Sequence, residues 1–438
     1  MPDMVIIGGG LAGSEAAWQA AERGVSVRIY EMRPQAQTPA HFTGKLGELV
    51  CSNSLRASSI HNAAGLLKEE LKRMGSLIME CAVNTEVPAG GALAVDREAF
   101  SQCITQKIEQ HPFIEVVRQE IEEIPPERPL VIASGPLTSD SLARSIFNIV
   151  GEEYLYFYDA AAPIVSADSL NYNRVFHASR YDQEATDYIN CPMSREEYYE
   201  FWEALVNAEK YIPHLEEEKK FFEGCMPVEV MAARGPDTLL FGPMKPVGLV
   251  DPRTGEQPYA VVQLRQDNLS ATLYNMVGFQ TQLKWPEQKR VFRMIPGLEN
   301  AEFARFGMMH RNTFLNAPRL LKTTYEFHDL PGVFVAGQLS GVEGYVESTA
   351  SGLVAGLNAV ARVQGKDALE FPPETAIGSL SQYITSADPQ HFQPMNITFG
   401  MINPPKERIP KKQRRDYLAN RALDSLEKFR KVCQGLLA

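Results

Sequence analysis

Apolar and polar positions fall into short blocks from the first residues onward. Four apolar residues, Met4 to Ile7, run straight into glycines at 8, 10 and 13, and a helix-forming stretch then stops at Gly24. A second apolar run ends on the acidic Glu31. The pattern predicts a strand, a tight turn, a helix and a second strand. Strand-like and helix-like blocks keep alternating to about residue 155, and Leu130–Pro136 reads as a buried strand ending in a glycine turn. Between about 160 and 300 aromatic and charged residues become denser, and turn signals recur in GPMKP, VDPRTGEQP and KWPEQ. Ser194 with Glu197 three residues on marks a helix start as a capping box. Glycine-rich αβ character returns at Gly332–Gly337, a strand and turn followed by a small-residue helix in which Gly352 and Gly356 permit close packing. Near the end Leu418, Ala422, Leu426, Phe429 and Cys433 recur at helical spacing.

The first block carries chemistry. Gly8, Gly10 and Gly13 have G-x-G-x-x-G spacing between two strands, with Gly9, Leu11 and Ala12 completing the loop. Gly8 permits the turn, Gly10 lets the backbone approach a pyrophosphate, and Gly13 lets helix and sheet pack closely. The unbonded N–H groups and positive dipole end of the helix face the phosphates. Glu31 is placed to accept hydrogen bonds from an adenosine ribose. The turn at Gly337 and the helix carrying Gly352 point a second helix N-terminus at the same site. The expected fold is therefore α/β, a Rossmann-like cofactor domain of the two-dinucleotide-binding flavoprotein type with an inserted α/β domain. Residues 1–160 form its first part, 161–300 the insertion, and 301–438 its second part.

Composition narrows the class. At 438 residues the chain exceeds one simple core, and 44% hydrophobic with 22% charged residues is ordinary for a globular protein. No run of about eighteen apolar residues suggests a membrane span, and no basic n-region precedes the first strand, so a cytoplasmic, membrane-free location is expected. The six cysteines are scattered with no CxxC or metal-like spacing, which predicts thiols rather than a disulfide framework and no metal site. Net charge is -11, yet Lys406–Lys431 holds ten Lys/Arg against four Asp/Glu, a local +6. That helix packs one face on the body and shows a basic face, either a solvated surface or a nucleic-acid footprint.

Two cysteines stand out by context. Cys51 lies in the Ser/Asn-rich ELVCSNSLRA, and Cys225 in FFEGCMPVEV beside Gly224. Glycine-flanked or polar loops suit reactive thiols, which need partial exposure and nearby donors or positive charge. Cys81 and Cys103 lie in helix-like runs and read as packing residues.

GGGLAGSEAAW, EMRP, TPAH, ELVCSNSLR, NAAGLLKEELKRMGSLIME, PAGGALAVDRE, EGCMPVE, LLFGPMKPVGLVDPRTG, VGFQTQLKWPEQKRVF, MIPGLENAEFARFGMMHRNTFLNAP and AGQLSGVEGYVESTASGLVAGLNA together closely resemble the folate-dependent tRNA uracil-54 C5-methyltransferases. The likeness covers nearly the whole chain and weakens only after about residue 365. It implies an FAD enzyme that takes its carbon from 5,10-methylenetetrahydrofolate and its electrons from NADPH or NADH, and that acts on the tRNA T-loop. By motif, it implies Cys225 as the nucleophile toward uracil and Cys51 as the second functional thiol. It also implies His310 as the residue stacking the folate pterin, and Arg33 and Arg97 as flavin-side contacts. Lys284, Lys289, Arg290, Lys411, Lys412, Arg414 and Arg415 are the expected RNA-phosphate contacts. Other readings of the same glycine motifs are a flavoprotein modifying the tRNA wobble uridine with a partner GTPase, a small-molecule NAD(P)H–flavin oxidoreductase, and a non-catalytic RNA-binding flavoprotein.

Overall fold

The computed structural model describes residues 2–38, 40–151, 155–180, 186–211, 226–405 and 409–436. The chain begins β1 (Met4–Ile7), α1 (Leu11–Ala21), β2 (Val27–Glu31), as its apolar blocks require. A small antiparallel sheet of β3 (Ser54–Ala57), β4 (Glu86–Val87) and β5 (Ala92–Val95) follows, with α2 (Ala63–Arg73) and α3 (Leu77–Asn84) between its first two strands. Then come α4 (Arg97–Gln110), β6 (Ile114–Arg118), β7 (Leu130–Ile132) and α5 (Asp140–Val150). Asp96 caps α4 by accepting from the N–H groups of Glu98 and Ala99.

The chain leaves this unit through β8 (Leu155–Ala160) and returns through β15 (Met309–Phe314), two antiparallel strands that form a two-stranded sheet of their own. Between them lies a six-stranded antiparallel sheet built from β9 (Ile164–Ser166), β10 (Phe176–His177), β11 (Tyr188–Met193), β12 (Ala260–Gln266), β13 (Leu273–Met276) and β14 (Phe303–Arg305). Against it pack α6 (Arg195–Val206), α7 (Val228–Ala232) and α8 (Trp285–Phe292), around a core of its own running from Val165 to Ala301. Ser194 and Glu197 form the capping box expected for α6. β14 takes the sheet of the insertion a few residues past 300.

After β15 come α9 (Ala317–Leu320), β16 (Val333–Val335), α10 (Tyr345–Val363), α11 (Ala376–Ser386) and α12 (Arg414–Leu436). β16 joins β7, β1, β2 and β6 in one parallel sheet, so the late segment completes the first domain. Helix α10 lies directly on α1. A Cβ on Gly352 would stand 2.3 Å from the Ala12 carbonyl oxygen, and one on Gly356 2.8 Å from Ala16 Cα. Only glycine allows this approach.

One cysteine expectation is overturned. Cys81 of α3 and Cys103 of α4 form a disulfide. Each lies in a helix whose own pattern is satisfied by packing. Their meeting depends on how the two helices cross, which no spacing reports.

Candidate active site

The parallel sheet, α1 and α10 line an open cleft at the carboxyl ends of β1, β2 and β7. This is where open α/β sheets bind ligands. Gly8 has φ +100°, and a Cβ there would lie 2.4 Å from the Ala133 carbonyl oxygen. A Cβ on Gly13 would lie 1.9 Å from the Gly8 oxygen, whereas one on Gly10 meets nothing within 4 Å. Thus Gly8 and Gly13 are required by the protein's own packing, and Gly10 leaves open space at the start of α1.

Neither α1 nor α10 has a side-chain N-cap, and both begin at this cleft, where Gly10, Leu11, Ala12, Tyr345 and Ser348 form part of its lining. Two helix N-termini, brought together from segments more than 300 residues apart, suit the phosphates of a dinucleotide. Gly337 and the turn Ser134–Gly135 line the same space.

Glu31 does reach the cleft, but its carboxylate is also a structural acceptor. Oε2 accepts from Gly9 N–H at 2.9 Å and Oε1 from Arg33 N–H and Nε at 3.0 and 2.8 Å. Burial alone would raise its carboxyl, but the Arg33 guanidinium and these donors outweigh it and hold it below the usual range. Arg33 lines the cleft yet its guanidinium bridges Glu31 and Glu48, the latter at 3.0 Å. It is a keystone of the wall more than a hand extended to a ligand.

Four expected cofactor contacts, Gly9, Gly13, Arg97 and Gly352, are not among the residues that line the cleft. Gly352 faces Ala12 rather than the cleft, because its missing side chain is what lets α10 touch α1. Arg97 does not line the cleft either. It reaches across to the insertion, pairing with Asp267 at 3.2 Å, and donates to the carbonyls of Leu49 and Cys51 at 2.6 and 3.0 Å. Burial opposes its charge, but Asp267 outweighs burial and raises it.

Arg97 is one of three arginines gripping the Cys51 loop. Arg265 of β12 donates to Ser52 Oγ at 2.6 Å and to Asn53 Oδ1, and Arg305 of β14 donates to the Val50 carbonyl at 2.6 Å. Burial pushes both of these guanidinium groups down, with Arg97 adding like charge. Buried Asn53 completes the junction by donating to Val95 and Gln266 carbonyls. Half-buried Cys51 sits beside the cleft, its N–H donating to the Tyr345 hydroxyl at 2.8 Å. The loop is therefore set by both domains at once. Arg265, Asp267 and Arg305 were not anticipated, although Arg265, directly after Leu264 in a strand that is otherwise buried, is a signal that could have raised the question.

Cys225 lies outside the described residues. Its flanks are placed: Tyr211 N–H donates to the Gln282 carbonyl and Val228 N–H to that of Gln280. The backbone of His310 pairs with Asp159 between β15 and β8, while its side chain is outside the description. Lys284 and Arg290 are exposed on α8 and paired with Glu209 and Glu287. Lys289 lies 5.5 Å over the Phe306 ring. Lys411, Lys412, Arg414 and Arg415 are exposed at the start of α12. Among the described residues no acidic, His or Cys cluster could hold a metal, and no helix is long and apolar enough to cross a membrane.

Residues 3–367 match the model of the family described as glucose inhibited division protein A. A protein of Heliobacterium modesticaldum named methylenetetrahydrofolate--tRNA-(uracil-5-)-methyltransferase TrmFO is 63% identical over 428 residues, 97% of each chain. One of the same name from Pelotomaculum thermopropionicum is 61% identical over 98% of each. The chain belongs to the glucose inhibited division protein A family and, within it, with the TrmFO proteins. The fold agrees: a crystal structure of Aquifex aeolicus GidA superposes with a TM-score of 0.73 at 16% identity, covering 99% of this chain and 75% of that one.

Proposed function

We propose that this chain transfers the one-carbon unit of 5,10-methylenetetrahydrofolate to carbon 5 of a tRNA uracil, the T-loop uridine 54, giving 5-methyluridine. FAD is its resident cofactor and NADPH or NADH its source of electrons, in the cytoplasm where tRNA is processed. The observation that carries the reading is the joining of a dinucleotide cleft, through Tyr345, to a thiol-bearing loop held by both domains, in a chain about 60% identical to proteins named for this reaction.

The residues present fit FAD: Gly8, Gly10 and the starts of α1 and α10 would take the pyrophosphate, and Glu31, which lines the same cleft, would reach the ribose by exchanging one of the four hydrogen bonds it accepts from Gly9 and Arg33. Bound there and reduced, FAD supplies the hydride that turns a methylene into a methyl group. The chain's own part is to make carbon 5 nucleophilic and to manage its proton. Addition of the Cys225 thiolate to carbon 6 forms a C–S bond and an enolate, whose carbon 5 attacks the methylene carbon. A base then takes the carbon 5 proton as the bond from the methylene carbon to the folate nitrogen breaks and tetrahydrofolate leaves. Hydride addition to the resulting exocyclic methylene regenerates the enolate, which expels the thiolate and restores the ring. Cys51 is assigned to that proton, since its loop is fixed at the cleft by Arg97, Arg265 and Arg305. His310 is assigned to the folate pterin by its motif. Lys289 and the Lys411–Arg415 cluster are assigned to RNA phosphates. Lys284 and Arg290 must exchange a carboxylate for phosphate to join them.

The test is anaerobic incubation of the FAD-loaded protein with unmodified tRNA, methylenetetrahydrofolate and NADPH, followed by nucleoside mass analysis. 5-Methyluridine at position 54 that requires folate is expected. No methylated uridine, from protein that holds FAD, refutes the reading.

A further inference from the structure

An aromatic step lies on the insertion near Glu209, and the assigned chemistry does not use it. Trp285, the first residue of α8, is 57% exposed. One face of its indole covers Phe306, with centroids 5.3 Å apart and planes 15° from parallel, and Phe306 in turn stacks on Phe303 at 5.3 Å and 17°. The stack is held rigidly. Gln288, one turn into α8, exchanges two hydrogen bonds with Gly307, 2.9 Å to its carbonyl and 2.8 Å from its N–H. The outer face of Trp285 thus stays open on an ordered base, although burying an indole would be favourable.

Lys284 and Lys289 flank it; Lys284 is paired with Glu209, whereas among the described residues Lys289 has no carboxylate partner, its ammonium lying instead over Phe306. The strip continues toward the active site through Arg305, which stands 4.6 Å over the exposed Phe42 ring and donates to Val50 beside Cys51. Flat open aromatic faces interleaved with cations are what unpaired nucleic acid requires, each base stacking while adjacent phosphates meet the charges. A uridine methylated inside a folded loop must also leave its stack to be reached, and that exposes neighbouring bases.

We infer that Trp285 is a stacking platform for an unpaired base of the RNA substrate, with Lys289 on the adjoining phosphate. This rests on the tRNA reading above. The FAD-loaded protein and its Trp285→Ala, Trp285→Tyr and Lys289→Gln variants are titrated with unmodified tRNA at several salt concentrations, and with a fully paired RNA duplex. Trp285→Ala should weaken tRNA binding by roughly 5- to 100-fold without changing the salt slope, and Trp285→Tyr should restore most of it. Lys289→Gln should lower the slope of log affinity against log salt by about one. The paired duplex should bind the Trp285→Ala variant and the unaltered protein alike.

Unchanged tRNA affinity in Trp285→Ala, or an equal loss for the duplex, overturns the platform. So does a loss confined to self-association, which would make the face a protein contact. If the unaltered protein methylates tRNA and only the variant effects are missing, the platform alone fails. If the unaltered protein does not bind tRNA, the reading beneath it fails as well.

Discussion

Replacing Gly352 with alanine tests whether the α1–α10 contact sets the geometry of the cleft. The added Cβ would sit 2.3 Å from the Ala12 oxygen and 2.8 Å from its carbonyl carbon and Cα, where ordinary contact needs at least 3.4 Å. One helix must therefore retreat by about 1 Å (3.4 − 2.3), and the atoms in the way are backbone, which cannot swing aside. In an open helix the same change would gain about 1 kcal/mol of propensity. Here overpacking of about 1–3 kcal/mol opposes it, so a net loss of up to about 2 kcal/mol is expected. The retreat also separates the two N-termini that face the cleft, so FAD affinity should fall together with stability. Urea unfolding and an FAD titration on the same protein measure both. Gly435→Ala in α12, where nothing lies within 4 Å, is the control and should be neutral or slightly stabilising. A Gly352→Ala protein as stable as the original, with the same FAD affinity, refutes the packing argument.

Asp267→Asn should cost about 3–5 kcal/mol in urea unfolding, because it leaves the largely buried Arg97 without its carboxylate and Arg265 beside it; a loss below about 1 kcal/mol would show that the junction is solvated. Glu70 is wholly buried, accepts from Ala376 and Ile377 N–H at the start of α11, and is pushed up by burial to about 8. Its folded pKa lies above the unfolded value of about 4.5, so the stability it contributes is complete below about pH 4.5 and is lost as pH rises toward 8. Unfolding followed across that range should show a shallower decline in Glu70→Gln, and parallel curves would count against the burial argument. Cys51→Ala should keep FAD and tRNA binding while abolishing 5-methyluridine formation in the mass assay; full activity would remove Cys51 from the chemistry. Affinity for tRNA should fall steeply with added salt in a filter-binding titration, and a flat response would exclude the lysine and arginine contacts.

Local chain geometry made much of the fold legible. The Gly8–Gly13 turn, the strand at Leu130 and the packing role of Gly352 follow from what a few neighbouring residues permit, and each appears as expected. Side-chain destinations were harder. Arg33 and Arg97 were expected at a cofactor, yet Arg33 bridges Glu31 and Glu48, and Arg97 holds Asp267 and the Cys51 loop. An arginine's partner depends on which carboxylate arrives within reach, and Asp267 arrives from 170 residues away. The Cys81–Cys103 disulfide escaped for the same reason, since each cysteine sits in a helix that is complete without it.

By itself, then, the sequence determined the elements whose cause is local: the glycine loop, the uncapped start of α1, the capping box at Ser194 and the two segments that share one sheet. Its motifs also carried the family. Only the tertiary structure decided that β12 and β14 of the insertion return Arg265 and Arg305 to a loop near residue 50, and that α8 and the residue after β14 build an open aromatic face at Trp285. Backbone dihedrals and apolar period are written into neighbouring residues. A charge's partner, and a ring's open face, exist only once distant segments have met.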